Sequence, residues 1–228
     1  MDLFKLSLIF VIVNSFFIIY FDKIKLLHYV IDKPDSSRKF HSKPTPLAGG
    51  IILIINIFLF YLIKIIFYDV LDSKIFFKSF FDLNIFLLSC FLIFTLGFID
   101  DKSNLNPLIK FFSTMLIIGL FLCLDPSLKI KIIKFSFFDK EIILGNYSFI
   151  FTLFCFLVFL NSFNMFDGIN LQSSSYALII ITYFLLITPI VLFLIMLLNF
   201  LITFIYLNFK DKSFFGDSGT LLISFIIS

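Results

Sequence analysis

Seven stretches of 17 to 19 predominantly apolar residues follow one another along this 228-residue chain: Leu3–Phe21, Ile51–Tyr68, Leu83–Ile99, Leu108–Leu124, Phe149–Phe166, Leu171–Ile187 and Ile190–Leu207. A helix of that length rises far enough to cross a hydrocarbon core of about 30 Å. Inside lipid every backbone N–H and C=O must be paired within its own segment, so such runs are helices. An eighth apolar run begins at Gly219 and has ten residues to the end of the sequence, too few to cross alone. The chain therefore reads as a partial one, or as one whose last span a partner completes. The expected fold is an all-α polytopic membrane protein, one domain over residues 1–228, with about seven complete transmembrane helices and a truncated eighth. Charged residues make up 14% of the sequence, against about 25% in a soluble domain.

One stretch differs. Between Leu124 and Phe149, Lys129-Ile-Lys-Ile-Ile-Lys-Phe alternates with a period near two, Asp139-Lys140 can turn, and Glu141-Ile-Ile-Leu returns. That pattern predicts a β-hairpin outside the bilayer, on the extracytoplasmic side. Cys90, Cys123 and Cys155 fall inside apolar runs, with no His or Cys partner at metal-ligand spacing, so neither a disulfide nor a metal cluster is expected of them. A net charge of +3, with no basic stripe interleaved with aromatics, excludes nucleic acid as a partner. The first run lacks a basic leader and a small-residue cleavage site and reads as a retained span. With 38 Phe and no Trp in the chain, single Phe residues read as lipid-facing filler.

Alternate loops of such a chain lie on opposite sides of the membrane. Loops 22–50, 100–107, 164–171 and 208–218 share one side; loop 69–82, the hairpin and the turn at Pro189 share the other. The first set carries nine Lys and Arg against six, and short basic loops favour the cytoplasm. Every cluster of polar residues that could carry chemistry falls in the first set. One cytoplasmic site assembled from four loops is therefore expected.

The first loop, from Asp32 to Gly50, places Arg38, Lys39, His41 and Lys43 within six residues. Pro44 and Pro46 stiffen it, and Gly49-Gly50 lets a helix start close to whatever is bound. Such a loop suits an anionic ligand, although a basic cytoplasmic loop needs no ligand to explain it. In the second, Gly97-Phe98-Ile99-Asp100-Asp101-Lys102, an apolar run stops at adjacent carboxylates that point about 100° apart on a helix. The plain reading is that the pair ends one helix and caps the next segment. The third spaces Asn161, Asn164 and Asp167 at i, i+3 and i+6, so a helix end would present all three along one flank; such residues at the end of a span are costly unless used. The fourth, Phe214-Phe-Gly-Asp-Ser-Gly219, puts Asp217 between glycines at a helix start, where a phosphate or a metal-bound phosphate is favoured and where a simple cap is the alternative. Four carboxylates, Asp100, Asp101, Asp167 and Asp217, gathered beside a basic loop would repel one another unless a hard cation sat among them. Mg²⁺ with substrate phosphates is the natural occupant.

The four motifs, Asp-Lys-Pro…Arg-Lys…His…Pro-Thr-Pro…Gly-Gly, Gly-Phe-Ile-Asp-Asp, Asn-x-x-Asn-x-x-Asp-Gly and Phe-x-Gly-Asp-x-Gly, occur in that order from Asp32 to Gly219. In this the chain resembles the polyprenyl-phosphate N-acetylhexosamine-1-phosphate transferases, which start bacterial O-antigen, teichoic acid and peptidoglycan lipid intermediates. The resemblance implies transfer of a sugar 1-phosphate from a UDP-sugar to undecaprenyl phosphate, with release of UMP, at the cytoplasmic face of the bacterial inner membrane. It implies Mg²⁺, with Mn²⁺ as a substitute, and leaves a homodimer open. Asp217 would ligate the metal. Asp100 would bind or deprotonate the lipid phosphate, with Asp101 beside it. Asn164 and Asp167 would position the nucleotide and the metal-bound diphosphate, so Asp167 too is a metal candidate. Lys43, with Arg38 and His41, would face the nucleotide or the phosphates, Phe214 matches an aromatic that stacks on uracil, and Asn208 would touch the nucleotide.

The chain departs from that family's pattern in two places. After Asp167-Gly168 the family often has a second Asp-Gly, where this sequence has Ile169-Asn170-Leu171-Gln172, which bears on the choice of sugar. Relatives also continue for further spans with a His-rich loop, so an inactive fragment or a degenerate paralogue is the alternative. The CDP-alcohol phosphotransferases need Ala-Arg after their Asp-Gly and do not match.

Overall fold

The computed structural model describes residues 3–34, 43–67, 79–188 and 191–228. Among the described residues eight helices carry the fold: α1 (Leu3–Tyr20), α2 (Gly49–Ile66), α3 (Phe80–Ser103), α4 (Pro107–Leu124), α5 (Ser148–Phe166), α6 (Gln172–Ile187), α7 (Val191–Phe209) and α8 (Gly216–Ile227). Six of them, all but α6 and α8, are long and apolar enough to cross a membrane, and the chain is a polytopic all-α membrane protein. The expected sixth span comes to 16 residues as α6.

Local chemistry sets the helix ends. Ser79 and Asp82 form a reciprocal capping box at the start of α3: the Asp82 N–H donates to Ser79 Oγ at 3.2 Å and the Ser79 N–H to Asp82 Oδ2 at 3.0 Å. Asn106 caps α4 by accepting the Leu108 N–H at 2.9 Å, and Pro107 fills its first position, where a missing N–H costs nothing. The aspartate pair does not end α3. The helix runs on to Ser103 and closes at Asn104 in the left-handed conformation (φ 49°).

The shortest helix is the most enclosed. From Ser218 to Phe225 every residue of α8 is buried, against α2, α3, α5 and α6. Phe225 packs its ring between Phe121 at 5.1 Å, Phe156 at 6.2 Å and Phe86 at 6.3 Å. Small residues make this possible at the other end. A Cβ at Gly97 of α3 would lie 2.5 Å from Ser218 Cα, and one at Gly50 of α2 would lie 2.5 Å from Ser218 Oγ, so three helices meet there almost backbone to backbone. The Phe residues divide between two environments. Phe200, Phe204, Phe215 and Phe225 are core, whereas Phe4, Phe16, Phe112 and Phe154 face outward with the apolar surface expected to meet lipid. The expectation that single Phe residues are filler is thus corrected: a bundle with no Trp takes its aromatic packing volume from Phe.

Two short antiparallel pairs complete the fold. β1 (Ile31–Asp32) pairs with β2 (Thr45–Pro46) beside the start of α2. β3 (Ile132–Phe135) pairs with β4 (Phe138–Ile143), which is the predicted hairpin, but its turn is at Ser136-Phe137 and not at Asp139-Lys140. The earlier turn sets Ile132 against Ile143 and Ile133 against Ile142, apolar on apolar, which a turn three residues later would forfeit.

Candidate functional site at the carboxylate end of the bundle

Four connections meet at one end of the bundle. The first loop is stitched to the last: Phe214 N–H donates to Pro46 O at 2.9 Å, Gly49 N–H to Phe214 O at 3.2 Å, and Ala48 N–H to Ser213 Oγ at 3.2 Å. The third is stitched to the last by Asn170 Nδ2, which donates to Asp211 Oδ1 at 2.8 Å. The second joins them through its side chains.

Asp100 and Asp101, one step apart on α3, face different partners. Asp100 is buried; its Oδ1 accepts the Leu105 N–H at 2.7 Å, tying down the α3–α4 loop, and its Oδ2 lies 2.6 Å from Lys110 Nζ. Asp101 reaches α8 instead. Its Oδ1 accepts the Asp217 N–H at 2.6 Å and its Oδ2 the Ser218 N–H at 3.0 Å, so both oxygens are spent on the free donors at the start of that helix. The pair does cap, as the plain reading has it, but Asp101 caps a helix more than 100 residues away. Two of the N–H groups at this helix start, those of Asp217 and Ser218, are therefore already engaged.

Lys110 is the residue that sequence reasoning missed. It stands in the first turn of α4, and its ammonium sits between Asp100 Oδ2 at 2.6 Å and Asp217 Oδ1 at 2.9 Å. A signal was there to read: an ionisable residue within an apolar span is expensive and needs a partner. The exposures separate the two acids, with the Asp100 side chain 8% exposed and Asp217 33%. Asp100 is the deeper acid, and Asp217 the one open to an arriving ligand.

The third loop brings its acid and amides up to this group in part. Asn164 Oδ1 accepts from Thr220 Oγ1 of α8, and Asp167, just past the end of α5, accepts from Ser173 Oγ of α6. Burial pushes the Asp167 carboxyl up to about 6; the Ser173 hydrogen bond opposes this and the negative charge of Asp217 adds to it. Asn161 turns back on its own helix, donating to Leu157 O at 2.7 Å. Asn208 is buried, with Oδ1 accepting the Leu171 N–H at 2.7 Å and Nδ2 donating to Ser213 O at 2.8 Å, so it clamps two site loops together. Phe214 is half-buried at the junction with the first loop, and the next residue, Phe215, is the core aromatic, 4.2 Å from Phe204. Lys43 is exposed at the edge of that loop. Arg38 and His41 lie outside the described residues, as do most of loop 69–82 and the turn at Pro189.

Among the described residues no three His, Cys, Asp or Glu side chains stand close enough together to hold a metal ion by themselves. Mg²⁺ commonly takes one or two carboxylates and completes its shell with water and substrate phosphate. Asp217, the more exposed acid, with Asp167 near enough to feel its charge, offers carboxylates of that kind.

Three relatives are similar over most of the chain. The undecaprenyl-phosphate alpha-N-acetylglucosaminyl 1-phosphate transferase of Salmonella typhi is 26% identical over 226 residues, 94% of this chain and 58% of its own length. The proteins of the same name from Yersinia pestis and Escherichia coli (strain K12) are 28% identical over 207 residues and 26% identical over 209. Those alignments take in 86% and 87% of this chain, and 53% of each relative. The chain thus spans little more than half the length of these relatives. The sequence profile of glycosyl transferase family 4 matches residues 83–228, more than half of the chain, and takes in Asp100, Asp101, Lys110, Asp167 and Asp217; the chain belongs to that family.

Proposed function

We propose that this chain transfers an N-acetylhexosamine 1-phosphate from a UDP-sugar to undecaprenyl phosphate and releases UMP, with its site on the cytoplasmic side of the bacterial inner membrane. The observation that carries the reading is the convergence of Asp100 and Asp217 on one ammonium at the end where the four loops meet. Names borne by the relatives point the same way. In this reading an oxygen of the lipid phosphate bonds to the β-phosphorus of the donor, the bond from that phosphorus to the oxygen bridging it to the α-phosphorus breaks, and UMP leaves.

Mg²⁺ or Mn²⁺, bound at Asp217 with Asp167 beside it, would supply neutralisation of the diphosphate charge. Asp100, whose Oδ1 is held by the Leu105 N–H, would take a proton from the lipid phosphate or orient it. Lys110 offers positive charge to phosphate oxygens that reach the pair. Asp101 acts at one remove, holding the first turn of α8 so that Asp217 stays aimed. Asn164 and Asp167 would bound the nucleotide side, and Phe214 with Lys43 would meet the base or the phosphates. Arg38 and His41 complete the basic side of the reading.

A donor labelled in both uridine and sugar tests it. Purified membranes containing the chain should move sugar label into extractable lipid while releasing uridine label as UMP in equal amount, and only with a divalent cation. Sugar label entering lipid together with uridine label, or UDP appearing in place of UMP, would point to different chemistry.

A further inference from the structure

At the end of the bundle opposite the carboxylates, the hairpin β3–β4 has no core of its own. Among the described residues no third strand joins it, and an isolated two-stranded hairpin is marginal in water. Its register sorts the side chains. Ile132, Ile143 and the Lys134–Glu141 ion pair, 3.4 Å apart, take one face; Ile133, Phe135 and Ile142 take the other. At the turn Phe137 packs on Phe135, with ring centroids 5.2 Å apart, yet remains 84% exposed.

The strand that enters the hairpin is pinned to a transmembrane helix. Ser148 Oγ donates to Ile130 O at 2.6 Å, and the Ile130 N–H donates to Thr152 Oγ1 at 2.8 Å, both within the first turns of α5. Lys129 lies over the Phe149 ring at 5.3 Å. The hairpin is thereby held at the level where α4 and α5 leave the hydrocarbon. Beside it, Leu116 and Leu120 of α4 and Ile150 and Phe154 of α5 are all more than half exposed. Between α4 and α5, Lys129, Lys131, Lys134 and Lys140 stand against Asp125, Asp139 and Glu141, a small positive balance contributed by Lys129 and Lys131 at the entry to the hairpin, which complements anionic headgroups. Aromatic rings beside Lys are the composition that settles at a bilayer interface.

We infer that the hairpin is an interfacial anchor, lying on the bilayer with Phe135 and Phe137 among the lipid headgroups and upper acyl chains and the Lys134–Glu141 face toward water. Its occupant is the membrane that surrounds the protein, and the assignment is independent of the transfer reaction proposed above.

The absence of Trp makes the test direct. Phe137→Trp and Lys134→Trp each introduce the chain's single Trp. The full chain is reconstituted into phosphatidylcholine–phosphatidylglycerol vesicles, with or without lipid brominated near the head of the acyl chain. The Phe137→Trp protein should show blue-shifted emission that brominated lipid quenches and aqueous acrylamide reaches poorly. The Lys134→Trp protein should show the reverse. Red-shifted emission from Phe137→Trp, open to acrylamide and blind to brominated lipid, would overturn the inference in favour of a free hairpin. Emission shielded from both quenchers would overturn it in favour of a second protein chain over that face.

Discussion

The carboxylate of Asp101 accepts the backbone N–H of Asp217 at 2.6 Å, across 116 residues of sequence. Two neighbouring acids on α3 thus divide the work: Asp100 pairs with the Lys110 cation, and Asp101 fixes the helix that carries Asp217. Replacing Asp101 with Ala removes a cap from a buried helix start, with an expected cost of about 1–2 kcal/mol. Thermal unfolding in detergent should show a lower midpoint. An unchanged midpoint would mean that α8 is held by packing alone.

Gly216 adds a second constraint at the same point. Its φ is 73°, and a Cβ there would lie 2.8 Å from Asp101 Oδ2. Gly216→Ala therefore meets both backbone strain and a carboxylate, and should cost roughly 1–3 kcal/mol. A deletion of the Asp101 side chain should relieve part of that cost, so the double variant should be less than additive. Strict additivity in unfolding measurements would contradict the contact.

Lys110 should behave as part of a buried pair. Lys110→Met leaves Asp100 desolvated beside Asp217, an arrangement expected to cost about 3–5 kcal/mol. Removing one of the two negative charges as well, in Lys110→Met with Asp217→Asn, should recover a substantial part. The readout is a double-mutant cycle on stability, which needs no substrate. Losses in Lys110→Met and Asp217→Asn that add up to the loss in the double variant would show that the ammonium and Asp217 are not coupled.

Leu171 sits in the left-handed region at φ 70°, unusual for a branched, bulky residue, with its N–H held by Asn208. Leu171→Gly should stabilise the fold by about 1 kcal/mol, provided the N–H keeps its partner. Asn208→Ala should destabilise it. A Leu171→Gly protein less stable than the parent would mean that the Leu side chain contributes more than its backbone costs.

Asp167 sets a pH limit. Its carboxyl, raised from 3.8 to about 6, keeps its proton more readily folded than unfolded. It therefore contributes stability in full below about 3.8, and that contribution is lost as pH rises through 6. In the proposed reaction the dependence would run the other way, since only the ionised acid can serve a cation. The apparent affinity for Mg²⁺ in the transfer assay should weaken as pH falls through 6, and Asp167→Asn should flatten that dependence. A slope unchanged in Asp167→Asn would assign the titration to another group.

Much of this architecture can be read from residue order. Apolar runs place the helices to within a few residues, and the alternation from Lys129 onward marks the hairpin. What cannot be read is tertiary in origin. Asp101 as the cap of α8 depends on a helix crossing that only Gly97, Gly50 and Ser218 together permit. Phe214 and Phe215 look alike in the sequence, yet one is half-buried at the loop junction and the other is fully buried. The hairpin turn went to Ser136-Phe137 because cross-strand Ile pairing outweighs the turn preference of Asp139-Lys140. Lys110 was legible and is the instructive case: one cation in an apolar helix, ten residues after an acid, already asks what it neutralises.

The most direct test of the central claim is transfer of label from UDP-N-acetylglucosamine into extractable lipid by the unaltered chain, by Asp100→Asn and by Asp217→Asn, each inserted in membranes in equal amount. Cation-dependent transfer by the unaltered chain is expected, with a loss of about 10²-fold or more in each variant. Transfer at the parental rate in both variants would contradict the assignment of these two carboxylates to the reaction.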